Sequence, residues 1–331
     1  MNRMNKLFVS ILAGAALSGS LSAQSVSLTN IFGGNTDNTA AKDLISFDKD
    51  WNKNDMSFGD RIQFDLSSEK LDSRIRLDLA APTLDGKNTT LRLRGYVAYK
   101  PWEFLHVIAG NNFFSKYAVS SAQLLAVDDY VNYGKLCDDN GLGFLFNFGD
   151  LTVAASIAAE SRLNLNAGAT YKIKDVASFG VTVQDFTTDA ISFGVYAGLL
   201  AVENLKLNAG YIYNYNNSSY ISPAKNVAQL SAGYNFNDLG LGLFADVQVG
   251  LAENIPVFGA VRATYKVSQN VTLNAKITAN INSSEIKVTA YPFADIKIPL
   301  GTIRTGVRVN VTQDGYAGLS LPLSWTYKIS K

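Results

Sequence analysis

The stretch LNLNAGATYKI, residues 163–173, decides the fold. Leu163, Leu165, Ala167, Ala169, Tyr171 and Ile173 fall on one side of a period-two repeat, with Asn164, Asn166, Thr170 and Lys172 on the other. Successive side chains of a β-strand point to opposite faces, so alternation over about ten residues means a strand with one apolar and one polar face. The pattern recurs on both sides of this stretch. Upstream, Ile62, Phe64 and Leu66 alternate with Arg61, Gln63 and Asp65; Ile75, Leu77 and Leu79 with Arg74, Arg76 and Asp78; Leu91, Leu93, Val97 and Tyr99 with Arg92, Arg94 and Tyr96. Downstream, Val271, Leu273, Ala275 and Ile277 oppose Thr272, Asn274, Lys276 and Thr278.

A soluble sandwich alternates too, and length separates the two cases. Runs of about ten residues exceed the usual five or six and match the ~9–11 that cross a bilayer when tilted. The polar faces carry Asn, Thr, Lys and Arg, as a wet lumen requires. Short connections at 149–150, 174–175, 201–204, 237–238 and 268–270 alternate with longer ones, the arrangement of periplasmic turns and external loops in outer-membrane barrels. In that orientation Tyr99, Phe148, Tyr171, Tyr234, Phe236, Tyr265, Trp325 and Tyr327 lie at the periplasmic strand ends on the apolar faces, and Tyr211, Tyr213 and Tyr215 at the opposite rim. That is the aromatic girdle of a membrane interface.

The chain begins MNRMNKLFVSILAGAALSGSLSAQ. Arg3 and Lys6, an apolar core from Leu7 to Leu17 and small residues at 20–23 read as a secretory signal peptide over 1–23. The barrel is then expected over 24–331. Parity requires an upward strand after the signal, and Ser25–Asn30 supplies it. The reading is all-β: a transmembrane, antiparallel, up-and-down β-barrel of about 16–18 strands. Pro292 and Pro322 fall inside strands and require bulges or strand ends, because each lacks a ladder donor.

Composition removes several functions. There are 29 Lys+Arg against 28 Asp+Glu, and the signal carries two of the cations, so the mature chain has no electrostatic footprint for nucleic acid. The single cysteine, Cys137, precludes an intramolecular disulfide. His106 is the sole histidine and has no serine near it in sequence, so neither a multi-histidine metal site nor a barrel hydrolase is expected. No phosphate-loop or dinucleotide motif is present, and no cofactor, metal or enzymatic activity is expected.

The whole mature chain resembles the bacterial outer-membrane porins, by architecture rather than by a motif. The turn 100–105, KPWEFL, and the ending 321–328, LPLSWTYK, also resemble spirochaete barrel proteins. Porins commonly end in Phe, whereas this chain ends Ile329-Ser330-Lys331; Leu323, Trp325, Tyr327 and Ile329 keep the alternating part of that signal. The resemblance implies an outer-membrane location, contact with lipid, passage of small hydrophilic solutes, handling by periplasmic chaperones and the barrel-assembly machinery, and a homotrimer, as porins of this size often are.

It also gives meaning to the longest interruption, residues 111–140, which connects the fifth and sixth strands and is the third external loop. In general porins that loop folds into the barrel, its acids facing a basic wall. Here the loop carries Asp128, Asp129, Asp138 and Asp139, and the early strands carry Arg61, Arg74, Arg76, Arg92 and Arg94. Opposed charge rows across a narrow pore make a transverse field that orients polar solutes. Lys172, Lys206, Arg262, Lys266, Lys276, Arg304 and Arg308 add cations to the lumen face and predict weak anion preference, or little selectivity. Two other functions fit the same pattern: a non-conducting adhesin or structural barrel using loops 111–140 and 216–226, and a transporter of hydrophobic compounds, which needs an apolar lumen or a plug.

Overall fold

The computed structural model describes residues 25–34, 58–81, 90–110, 121–127, 129–132, 141–159, 163–187, 191–214, 224–282 and 285–330. The expected signal peptide lies outside them.

The chain is a succession of strands: β1 (Ser25–Gly34), β2 (Phe58–Ser67), β3 (Leu71–Ala81), β4 (Thr90–Trp102), β5 (Leu105–Gly110), β6 (Ser121–Leu124), β7 (Asp129–Asn132), β8 (Gly141–Phe148), β9 (Leu151–Ala159), β10 (Leu163–Ile173) and β11 (Ala177–Gln184). There follow β12 (Ser192–Leu199), β13 (Leu205–Tyr213), β14 (Val227–Phe236), β15 (Leu241–Gly250), β16 (Val257–Lys266), β17 (Val271–Ile281), β18 (Ile286–Ile298), β19 (Gly301–Gly306), β20 (Arg308–Thr312), β21 (Gly315–Ser320) and β22 (Leu323–Ser330). All but β6 and β7 belong to one sheet in which every pairing is antiparallel and most join neighbours in sequence. β5 pairs with β8 across the 111–140 segment. β1 pairs with β2 along one edge and with β22 along the other, so the first and last strands are neighbours, as in a barrel. Among the described residues β21 has β20 as its partner.

β18 pairs with β19 along one half and β20 along the other, and β19 pairs with β22. β19 with β20, and β21 with β22, are thus two interrupted strands, and twenty sheet segments make eighteen crossings. Both prolines sit at the interruptions. The carbonyl of Pro292 accepts from Val307 N–H at 3.0 Å where β19 gives way to β20, and Pro322 lies between β21 and β22, accepting from Gly306 N–H at 3.2 Å. Placed there, neither removes a bond from a continuous ladder. The first strand runs four residues beyond the expected Asn30.

A ten-residue strand rising about 3.3 Å per residue and tilted about 40° gains roughly 25 Å in height, the thickness of the apolar band of an outer-membrane barrel. The exposed face supplies that band: Leu93 is 59% exposed and Leu230 57%, with Leu243, Val261, Leu273 and Ile277 at similar levels. The opposite face buries Ser156, Asn166, Thr182, Gln229, Asp246 and Asn274. In water such an exterior is unfavourable by about 25 cal/mol per Å² of apolar area; in lipid that penalty vanishes. The girdle is present as expected, with Tyr99, Phe148, Tyr171, Tyr234, Phe236 and Tyr265 all exposed at one end. There Trp102, Phe104 and Phe148 stack at 5.9 and 6.0 Å. Four successive turns at that end each hold one residue at positive φ, Gly149, Asp175, Asn204 and Gly240, residue types that tolerate the left-handed region and let the chain reverse within a few residues.

Candidate pore constriction and lumen wall

β2, β3 and β4 pair in a register that lines up their lumen-facing residues in rows. Arg61 faces Asp78, which faces Arg92; Gln63 faces Arg76, which faces Arg94; Asp65 faces Arg74, which faces Tyr96. The five arginines named from sequence therefore form one patch. Arg61, Asp78 and Arg92 are placed by their backbone alone. The patch is not purely basic. Arg74 Nε lies 2.6 Å from Asp65 Oδ1, Gln63 Nε2 donates to the other oxygen at 2.7 Å, and the Arg74 guanidinium sits 5.9 Å from the Tyr96 ring centre. Sequence pattern put Asp65 on this face without revealing the pair, because a partner nine residues away becomes a neighbour only through the β2–β3 register.

A second basic patch lies on β17 to β20. Arg304 grips Asp295 with two bonds, Nε to Oδ1 at 2.6 Å and Nη2 to Oδ2 at 2.9 Å, and lies over the Phe293 ring at 4.6 Å. Arg308, buried, lies over Tyr291 at 5.0 Å, and Lys276 approaches the same ring at 5.7 Å. Tyr291 and Phe293 stack at 4.6 Å. Rings and bidentate acids hold these long cations flat against the wall rather than across the pore.

Of the four acids named from sequence, Asp128, Asp138 and Asp139 lie outside the described residues, and Asp129 is placed by its backbone alone, at the start of β7. β6 and β7 pair antiparallel, Leu124 facing Asp129, and the turn Leu125–Val127 joins them. Leu124 and Ala126 are 0% exposed, and with Val127 they pack on Ile212, Ala224, Val227, Phe258 and Ala260, with Tyr196 and Phe244 at the margin. Ile212, Val227, Phe258 and Ala260 alternate with the lipid-facing residues of their strands, so the described tip of the third loop, Leu124–Val127, packs on the inner face of the wall. Phe244 and Leu125 crowd over Gly233, where a side chain would stand in their way.

The turn is fixed by charge as well as by packing. Asp246, midway along β15 and only 2% exposed, accepts Leu125 N–H at 2.7 Å through one carboxylate oxygen. The other oxygen accepts Ala126 N–H at 2.8 Å and Val127 N–H at 2.9 Å. Three consecutive amides cradling a carboxylate form an anion nest. From β16, Arg262 Nη2 donates to the Leu125 carbonyl at 2.9 Å while its guanidinium lies 4.9 Å from the Phe244 ring centre. Sequence reading named Arg262 as a lumen cation and missed Asp246. A signal for Asp246 was there: it is the one acid within the strands β14 to β17.

The loop leaves the wall at β5 and returns at β8, and its tip rests on β13 to β16, across the barrel in the strand order. The described tip thus lies against the wall from β12 to β16, and the two basic patches lie on the remaining arc, from β17 through β22 and β1 to β4. The acids Asp65, Asp72, Asp78 and Asp295 on this face are fewer than the cations around them.

His106, in β5, has Nδ1 3.5 Å from Asn147 Nδ2, and the Asn147 carbonyl oxygen accepts from Thr152 Oγ1 at 3.1 Å. This is a polar wall contact of β5 with β8 and β9.

No family model and no curated protein matches the chain. Solved structures do. The outer membrane protein OpdK of Pseudomonas aeruginosa matches with a TM-score of 0.60 at 10% identity, over 93% of this chain and 98% of that one. OccAB1 of Acinetobacter baumannii matches with a TM-score of 0.59 at 10% identity, over 94% and 99%. Wzi of Escherichia coli, described as a carbohydrate-binding β-barrel of the outer membrane involved in group 1 capsule assembly, matches with a TM-score of 0.60 at 9% identity, over 95% and 87%. At these identities the likeness is one of fold: with the exposed apolar band and the aromatic girdle, this chain has the porin-type β-barrel fold of those outer-membrane proteins.

Proposed function

We propose that the chain forms a water-filled channel through which small hydrophilic solutes and ions diffuse passively, with weak preference for anions. The observation that carries this reading is the off-centre hairpin. In this proposal the hairpin, whose described tip packs on β13 to β16, narrows the lumen on that side and leaves a polar conduit along the arc from β17 to β4. Arg61, Arg74, Arg76, Arg92 and Arg94 form one bank of that conduit and Arg304 and Arg308 the other. Guanidinium groups stay charged at every physiological pH, so the bias does not titrate away. The loop acids Asp128, Asp129, Asp138 and Asp139 complete the constriction in this proposal, at the rim of the hairpin. Screening acts over about 10 Å at 0.1 M salt, comparable to the half-width of such a conduit, which keeps the preference weak and salt-dependent.

The test is single-channel recording of purified protein in a planar bilayer under a KCl gradient. The expected result is discrete conductance steps with a reversal potential on the chloride side, shrinking as salt rises. Absence of steps from correctly folded protein would favour the non-conducting surface barrel, and strong cation selectivity would refute the basic-conduit account.

A further inference from the structure

Beyond the aromatic girdle, the short-turn end of the barrel does not become purely polar. Among the described residues, seven of its eight turns, those after β4, β8, β10, β12, β14, β16 and β18, carry an exposed large apolar residue. Leu300 is 69% exposed, Leu239 64%, Trp102 60% and Val267 52%. The five turns after β4, β8, β10, β12 and β14 also set an exposed acid directly beside the apolar residue, as at Trp102-Glu103, Asp175-Val176 and Asp238-Leu239. Lys174 adjoins Asp175, and Lys70 lies in the remaining turn, after β2.

Apolar surface repeated along a rim marks a contact site, and two observations choose its occupant. The turn tips are continuous with the lipid-facing band: the girdle residues Phe148 and Phe236 stand two positions before Asp150 and Asp238. The perimeter also runs around the wall from β4 to β19, which an annulus of lipid covers and a protein docked on one side does not. Height agrees. Each residue of a tilted strand gains about 2.5 Å, so a tip two or three residues past the girdle lies roughly 5–8 Å below it, the depth of one head-group layer. We propose that the turns at this end form a lipid-docking rim, seated among the head groups of the adjacent leaflet and favouring zwitterionic phospholipid. The apolar tips meet the glycerol and upper acyl region, the acids meet the head-group ammonium, and Lys70 and Lys174 meet the phosphate. A head group carrying phosphate alone meets the turn acids as like charges. The girdle is then not the limit of membrane contact at this end. This inference goes beyond the channel reading and does not depend on it.

Tryptophan emission from the barrel folded into vesicles tests the rim. Trp51→Phe with Trp325→Phe leaves Trp102 as the sole indole; adding Trp102→Phe gives a background for Leu239→Trp or Leu300→Trp as separate reporters. Heat-modifiable migration on SDS gels shows which variants hold a folded barrel, and each folded reporter tests the rim on its own. In phosphatidylcholine brominated high on the acyl chain, emission is expected to fall at least about twofold relative to unbrominated lipid, while acrylamide in the water quenches it little. In brominated phosphatidylglycerol at low salt the bromine quenching should be roughly half as large, and the difference should shrink at about 1 M salt. Quenching by acrylamide without quenching by bromine would place the turns in water, overturn the rim and leave this surface to a periplasmic protein. Equal bromine quenching in the two lipids at low salt would overturn the preference for zwitterionic head groups.

Discussion

Replacing Ser121–Asn132 by a Gly-Ser linker tests whether the inward hairpin sets the pore width, and the wall geometry gives the size of the effect. Eighteen strands spaced about 4.8 Å apart and tilted about 40° form a wall of roughly 110 Å circumference, or a backbone radius of roughly 18 Å. Side chains reach about 5 Å inward, half the ~10 Å spacing of stacked sheets, which leaves roughly 500 Å² of lumen. Two four-residue strands side by side cover about 13 Å by 10 Å, or roughly 130 Å². Their removal enlarges the narrowest section by about a third, so unitary conductance rises about 1.3- to 1.4-fold if it scales with that area. The assay is single-channel conductance in 1 M KCl, where the wall charges are screened and area dominates. The deletion also takes the partners from Asp246 and from Ile212, Val227 and Phe258, so barrel folding is checked by heat-modifiable migration. A folded variant whose conductance equals or falls below that of wild type would show that the hairpin does not limit the current.

Other consequences follow from the same geometry. A charge about 10 Å from a permeating ion contributes about 0.4 kcal/mol in water before screening, so Arg74→Gln, Arg76→Gln and Arg94→Gln together should lower the chloride-to-potassium permeability ratio about two- to fourfold at 0.1 M. Reversal potentials measure this, and the difference should largely vanish at 1 M. Gly180 faces Tyr196 across the β11–β12 pair, and the Tyr196 ring fills the space a Cβ would need. Gly180→Val should therefore drive Tyr196 off its place and destabilise the barrel by about 1–3 kcal/mol, read as a lower urea midpoint in detergent. Trp325 Nε1–H donates to the Leu300 carbonyl at 3.0 Å and the ring packs on Tyr327 at 5.1 Å. Trp325→Phe keeps most of the packing and loses the bond, for a loss of about 1 kcal/mol in the same assay.

The architecture was legible because a barrel wall is repetitive. Each strand solves the same problem, lipid on one side and water on the other, and the period-two code of residues such as Leu163 to Ile173 or Val271 to Asn280 records that solution locally. Turn lengths, the girdle and parity then yield about 16–18 crossings; the registers of β18 to β22 make them eighteen and set the awkward prolines at strand interruptions. The constriction was legible only in part. That residues 111–140 turn inward was an expectation carried by resemblance, and the partners named for its acids lay on β2 to β4. Those acids' side chains lie outside the described residues; the described tip rests on β13 to β16, held by Asp246, the one acid within the strands β14 to β17. Likewise the arginines were visible one by one, while their pairing with Asp65 and Asp295 needed the registers of β2 with β3 and of β18 with β19.

By itself, then, the sequence determined the strands, their two faces and the lipid-facing exterior, because these depend on residues within a few positions of one another. Where the hairpin docks was decided by tertiary structure alone. Leu125 and Asp246 are 121 positions apart, and only the curvature of the wall and the length of the loop bring three amides to one carboxylate.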